Sequence, residues 1–200
     1  NFLDKYSQIN SEGQFVSAYN TVEKRMTMFF STLVRGRIWV TDTNASNLLN
    51  SLTIASRFAC ARRQFGLPKQ PEYPIIEYPQ TQYRLIPYLA GMFAINFASQ
   101  AMFNALIENN DKLSDPKNPI LVEVHAMASA LKGWSSVFSH RGIQECREVC
   151  GGLGYSAYNR LGKIKEDNDI NSTWEGDINV LSQQTVKFLL DCFRKVSKGK

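Results

Sequence analysis

From Leu85 to Ile107 the chain carries no charged side chain. A helix of that length could span a bilayer, so the run has to be hidden from water by lipid or by protein. Pro87, Tyr88, Asn96, Ser99, Gln100 and Asn104 interrupt it, and its neighbours are ordinary amphipathic segments. The run therefore reads as the central helix of a bundle, buried on most sides, and not as a membrane span.

The other periodic segments agree with a bundle. Helical character begins near Val22, and Ile38, Thr41, Ala45, Leu48, Leu49, Leu52, Ala55 and Ala59 follow one helix face up to a stop at Gly66-Leu67-Pro68. Four prolines between Pro68 and Pro79 make a turn-rich connection to the uncharged helix, expected from about Gln80 to Asn109. Asp115-Pro116-Lys117-Asn118-Pro119 separates it from a third helix over Ile120 to Val149. There Leu121, Val124, Ala128, Leu131, Ser135 and Phe138 form the apolar face, and Gly142 is the point where it would bend.

Gly151 to Gly154 ends that helix, a polar loop is expected from about Ser156 to Thr173, and a last helix from about Gly176 to Arg194 buries Val180, Leu181, Val186, Leu189 and Leu190. Four long helices with few strand signals give an all-α fold, an antiparallel four-helix bundle. Residues 1–21 lack a sustained period and read as a linker, leaving residues 22–200 as the bundle domain.

With 200 residues and 44% hydrophobic content, one sizeable core is affordable and disorder is excluded. The net charge of +5 is mild and spread out, which suits an anionic ligand without a nucleic-acid stripe. Cys60, Cys146, Cys150 and Cys192 form no disulfide framework, and His125 and His140 lie at no metal-finger spacing, so no metal is expected. Cys146 and Cys150 read as buried small hydrophobes. The start, NFLDKYSQIN, shows no leader pattern, and its lack of Met suggests an excised piece.

Several short motifs have two readings on their residues alone. Ser172-x-x-Glu175 ahead of an apolar run is a capping box. Arg62 and Arg63 suit a solvated helix end, and the glycines of Cys150-Gly151-Gly152-Leu153-Gly154 suit a helix stop. Taken together they change meaning. Gln144-Glu145-Cys146-Arg147-Glu148, Cys150-Gly151-Gly152-x-Gly154-Tyr155, Asn159-Arg160-Leu161, Asp167-x-Asp169 and Trp174-Glu175-Gly176-Asp177 occur in that order, after Gly36-Arg37-Ile38 and Arg62-Arg63-Gln64-Phe65-Gly66. The string resembles the C-terminal helical segment of peroxisomal acyl-CoA oxidases, flavoenzymes of the acyl-CoA dehydrogenase superfamily, and is closest to their branched-chain (pristanoyl-type) branch.

The resemblance implies a four-helix C-terminal bundle following a β-rich domain that is missing here. It implies α,β-desaturation of a fatty acyl-CoA to a trans-2-enoyl-CoA in peroxisomal β-oxidation, with FAD as cofactor, O2 as acceptor and H2O2 as product. Glu175 would be the catalytic base. The α-proton of a thioester is weakly acidic, so the base must be held close to it in a site that excludes water.

By the same resemblance Trp174, Gly176 and Arg37 would line the substrate. Arg62, Gln64, Phe65, Gly151 and Gly152 would hold FAD across the interface of a homodimer, an arginine fork being suited to a pyrophosphate. Asp177 and Asn179 are further cofactor candidates. Gly36 occupies the position where some superfamily members carry their base, so Glu175 has no competitor there.

Two departures stand out: Leu153 replaces a usual histidine and Ile178 a usual asparagine. They motivate a different class of reading, a non-catalytic helical module for dimerisation or partner binding. A dehydrogenase with a protein electron acceptor is the nearer alternative. The terminal Ser-Lys-Gly-Lys is not a peroxisomal address of the Ser-Lys-Leu type.

Overall fold

A computed structural model describes residues 7–17, 19–109 and 119–199. Its helices are α1 (Val22–Ala61), α2 (Pro79–Glu108), α3 (Pro119–Val149), α4 (Leu161–Asp169) and α5 (Ile178–Ser197). A hairpin of β1 (Ser7–Ile9) and β2 (Phe15–Ser17) precedes them, in the stretch read from sequence as linker. Its strands are too short to register as a period; Asn10 Oδ1 folds the turn by accepting from the N–H groups of Glu12 and Gln14.

α1 is a single helix capped by Thr21, whose Oγ1 accepts from the Lys24 N–H at 3.2 Å. It stops at Ala61, ahead of the expected Gly66-Leu67-Pro68, because Arg62 turns extended and its carbonyl accepts from the Ile75 N–H at 2.8 Å. Gln64 and Phe65 continue that short ladder with Tyr73. The segment 110–118, with most of the expected Asp115 to Pro119 break, lies outside the described residues.

Side-chain partners give the helix directions. Arg37, Asn44 and Leu48 of α1 meet Ser129, Ser135 and Gly142 of α3 in the same order, so these two helices run parallel. Ser99 of α2 reaches back to the Ile38 carbonyl, and Thr185 of α5 to that of Ala126, so α2 and α5 run the opposite way. α1, α2, α3 and α5 thus alternate as an up-down bundle, with α4 laid across α1 and α3.

The apolar interior is divided. One cluster gathers Val34, Ile38, Met102, Leu106, Leu121 and Val124, and the other Leu48, Leu52, Leu85, Ile95, Ile143 and Leu161. Each fully buried large side chain contributes roughly 1.5–3 kcal/mol. Between the clusters lies a fully buried polar belt: Arg37, Thr41 and Asn44 from α1, and Ser129, Lys132, Ser135, Ser136 and Ser139 from α3.

Several expectations need correction. α2 is buried on one face only, through Leu85, Met92, Ile95, Ser99, Met102 and Leu106, while Phe93, Phe97 and Phe103 face outward. It is long and apolar enough to cross a membrane by length and composition, yet it packs along α1 and α3. α5 buries only Leu181; Val180, Val186, Leu189 and Leu190 stay exposed because α5 rests on α3 alone among the long helices. Leu49 is 45% exposed. The loop expected from Ser156 to Thr173 contains α4, which buries Leu161 and Asn168.

α3 runs unbroken through Gly142. A Cβ there would sit 2.6 Å from Leu48 Cδ1 and 2.7 Å from Tyr88 Cδ1, so its missing side chain lets three helices approach. Alanine would gain about 1 kcal/mol of helix propensity and lose more to overpacking. Gly142→Ala is expected to destabilise the chain by about 1–3 kcal/mol net in denaturant unfolding; a neutral or stabilising result would refute the packing role.

Candidate active site

The segment Trp174-Glu175-Gly176 crosses the bundle beside the polar belt, between a 3-10 turn at Ile170–Ser172 and the start of α5. It is not a helix cap. The side chain of Asp177, not Ser172, caps α5 by accepting from the Asn179 N–H at 2.8 Å, and Glu175 lies outside the helix in a left-handed conformation at φ 56°. Gly176 follows at φ 118°, which glycine tolerates best.

Trp174, Glu175 and Gly176 are each tied down, directly or through Asn171, by residues of α1 or α3. Arg37 Nε of α1 donates to the Glu175 carbonyl at 3.0 Å, and Lys132 Nζ of α3 to the Gly176 carbonyl at 2.6 Å. Trp174 Nε1 donates to Asn171 Oδ1 at 2.8 Å, and Asn171 Nδ2 to Asn44 Oδ1 at 2.8 Å. The rings of Trp174 and Trp39 lie 6.0 Å apart. The tryptophan before the glutamate is thereby fastened to both α1 and the belt.

The carboxyl group itself is left free. A Cβ built on Gly36 would lie 2.6 Å from Glu175 Cδ and from both carboxylate oxygens, so the carboxyl occupies the space a side chain at position 36 would fill. Its Oε2 is buried and has no hydrogen-bond partner. A buried acceptor without a partner is costly and usually marks a functional site.

Two cations stand close without pairing to it. Burial lowers the Arg37 pKa from its ordinary value, against the opposing charge of Glu175, and Arg37 Nη1 is engaged by Ser129 Oγ at 3.2 Å and His125 Nδ1 at 3.3 Å. Burial, then the charge of Arg37, pushes Lys132 down to about 8, opposed by Asp177 and Glu175. Burial, then Arg37, also lowers His125. The belt carries two buried cations, Arg37 and Lys132, with Glu175 and Asp177 as the opposing charges nearby.

The remaining sequence candidates divide into two places. Arg37 donates to the Glu175 carbonyl, and Trp174, Gly176, Asp177 and Asn179 lie within four residues of Glu175 in the chain, with Asp177 already engaged as a cap. Arg62, Gln64 and Phe65 follow the end of α1, and Gly151 and Gly152 follow the end of the parallel α3, all of them exposed. The helical rise separates Arg62 from Arg37 by roughly 37 Å along α1. No side chain crowds the space over Gly151 or Gly152, where an added Cβ would meet nothing within 4 Å.

Leu153 is 59% exposed at that same end, and Ile178 packs on Gly133 of α3. Cys146 and Cys150 are buried thiols, the former pushed up to about 12 by burial. Among the described residues no three His, Cys, Asp or Glu side chains gather as a metal site.

Sequence reasoning missed Lys132, Asn171, Asn44 and Ser129. A signal was present: Ser129, Lys132, Ser135, Ser136 and Ser139 recur at the three- and four-residue spacing of a core face. Between the pH values where native and unfolded Lys132 release their protons, the unfolded chain binds more protons, so stability rises with pH. Relative to a Lys132→Met variant, the native chain is expected to gain up to about 3 kcal/mol from pH 8 to 10 in paired denaturant titrations. A difference that stays flat over this range would refute the buried charge.

The acyl-CoA oxidase C-alpha1 domain family matches residues 30–190. The chain is 42% identical over 193 residues to peroxisomal acyl-coenzyme A oxidase 3 of Homo sapiens, covering 94% of the chain and 28% of the relative. It is 36% identical over 200 residues to peroxisomal acyl-coenzyme A oxidase 2 of Arabidopsis thaliana, covering 100% of the chain and 28% of the relative. The crystal structure of an acyl-CoA oxidase from tomato superimposes with a TM-score of 0.85 at 29% identity, over 99% of this chain and 30% of that one. Acyl-CoA oxidase-2 of Caenorhabditis elegans, solved with FAD, ascaroside-CoA and ATP, superimposes with a TM-score of 0.83 at 25% identity, over 98% of this chain and 29% of that one. The chain thus spans less than a third of the length of these relatives.

Proposed function

Since the chain belongs to the acyl-CoA oxidase family, we propose that it is the helical segment of a peroxisomal, FAD-dependent acyl-CoA oxidase and supplies its base, Glu175. The observation that carries this reading is the Glu175 carboxyl, seated over Gly36 with Oε2 buried and unpartnered. An unpaired carboxylate in an enclosed site is available to take a proton. The peroxisomal relatives and the relative solved with FAD support the compartment and the cofactor.

The substrate is a fatty acyl-CoA. A cavity of about 340 Å³ between α1 and α2, lined by Ile38, Trp39 and Phe103 and by the polar Arg35, Asp42 and Gln100, opens beside the Trp39–Trp174 pair and offers an apolar wall for part of an acyl chain. Glu175 takes the α-proton onto its carboxylate as the Cα=Cβ bond forms. The Glu175 N–H would be an oxyanion donor for the thioester carbonyl, and the buried Arg37 provides a positive charge near the developing enolate. FAD, when bound, would supply the acceptor for the β-hydrogen and its electron pair; transfer of that hydride equivalent to O2, together with the proton released from Glu175, would give H2O2 and restore the carboxylate.

The residues present fit part of a flavin site. Arg62 offers an exposed guanidinium fork for a pyrophosphate, and the open Gly151–Gly152 backbone admits close approach. The separation of roughly 37 Å between Arg62 and Arg37 favours a reading in which Arg62 does not serve the same flavin as Glu175 of its own chain. Two copies in a homodimer, each completing the other's cofactor site with Arg62, Gln64, Phe65, Gly151 and Gly152, resolve this; Asn179 and Asp177 lie on the Glu175 side.

In the full-length protein, Glu175→Gln is expected to retain FAD absorbance while losing acyl-CoA-dependent O2 uptake by at least about 100-fold. Turnover at the native rate would exclude Glu175 as the base. An O2 electrode run beside an artificial electron acceptor separates oxidase from dehydrogenase.

A further inference from the structure

We propose that Lys132 is a positioning residue for the base: together with Arg37 it clamps the backbone at Glu175 and Gly176, fixing the carboxyl over Gly36 while leaving it unpaired. The proposal rests on the reading of Glu175 as the base and adds to it a residue that touches neither substrate nor cofactor.

Lys132 is 0% exposed in the middle of α3. A buried ammonium is normally neutralised by a carboxylate, but the Lys132 amine spends its hydrogen bond on the Gly176 carbonyl. Arg37 does the same one residue earlier, and its other donor contacts go to Ser129 and His125. Hydrogen bonds from charged donors are roughly twice as strong as neutral ones. Two successive carbonyls are therefore gripped from opposite helices.

The grip is applied where the backbone is least comfortable. Glu175 at φ 56° is a non-glycine residue in the left-handed region, a conformation that persists only when its surroundings impose it. With the two carbonyls held by α1 and α3, the carboxyl is directed into the space over Gly36. An ion pair with either cation would stabilise the carboxylate and weaken it as a base; engaging the cations with carbonyls avoids that. The charged groups facing Lys132 are Arg37 from α1 and Glu175 and Asp177 from the segment before α5.

The test is steady-state kinetics of the full-length protein with a fatty acyl-CoA and FAD. Lys132→Met is expected to retain FAD and an unchanged KM while kcat falls about 100-fold, the scale of a 1 Å misplacement. Lys132→Arg is expected to restore most of kcat and to keep activity at higher pH than the native enzyme, whose ammonium loses its proton at about 8. Glu175→Gln, assayed alongside, distinguishes the two ideas: an active Glu175→Gln removes the base itself. An inactive Glu175→Gln beside a Lys132→Met of native kcat overturns the clamp alone. If Lys132→Met is recovered unfolded or without flavin, the Lys132→Arg profile decides, and a profile identical to the native one overturns the clamp.

Discussion

The seam between α1 and α3 holds the rest of the molecule in place. The two helices run parallel, and at mid-height their contact is polar: Asn44 donates to Ser135 and Ser136, and Arg37 to Ser129. Buried polar groups are stable only when satisfied, and a satisfied network fixes one register and no other. Sliding α1 by one turn against α3 would take the Asn44 amide away from Ser135 and Ser136 in a dry interior, although the serines keep bonds to carbonyls of their own helix. The apolar clusters above and below tolerate repacking more readily than this layer does.

The site hangs from that seam. Asn171 joins it through Asn44 and Ser136, and Trp174 joins it through Asn171. Glu175 and Gly176 are then gripped by Arg37 and Lys132, one from each helix of the seam. The proposed base is thus carried on a loop whose carbonyls are anchored to the buried polar seam of the bundle. Precision at a site built on a loop has to come from such support.

The exposed faces carry a complementary message. α2 presents Phe93, Phe97 and Phe103 outward, and α5 presents Val186, Leu189 and Leu190. Apolar surface of this extent marks contact surfaces in general. The relatives are more than three times as long as this chain, and the candidate cofactor residues at the far end of α1 and α3 lie far from Glu175. Both facts are consistent with the proposal that the bundle shares its chemistry with neighbouring parts.

Much of this could be read locally. The face of α1 from Thr41 to Ala59, the extent of α2 and α3 and the buried pair Cys146 and Cys150 follow from spacing of three and four, because helical periodicity is a property of neighbours in the chain. The motifs around Glu175 carried the family. What spacing could not reveal was burial on one face rather than most sides for α2, the packing role of Gly142, or the cap formed by Asp177 in place of Ser172. Nor could it reveal that Arg37 and Lys132 turn to carbonyls and leave the carboxyl of Glu175 unpaired. Arg37 and Glu175 stand 138 residues apart, and their contact exists only once three helices have packed. The sequence by itself determined the four long helices and the motif residues that can do chemistry; the tertiary structure alone decided which residues meet, because pairing across such distances is set by packing and not by local propensity.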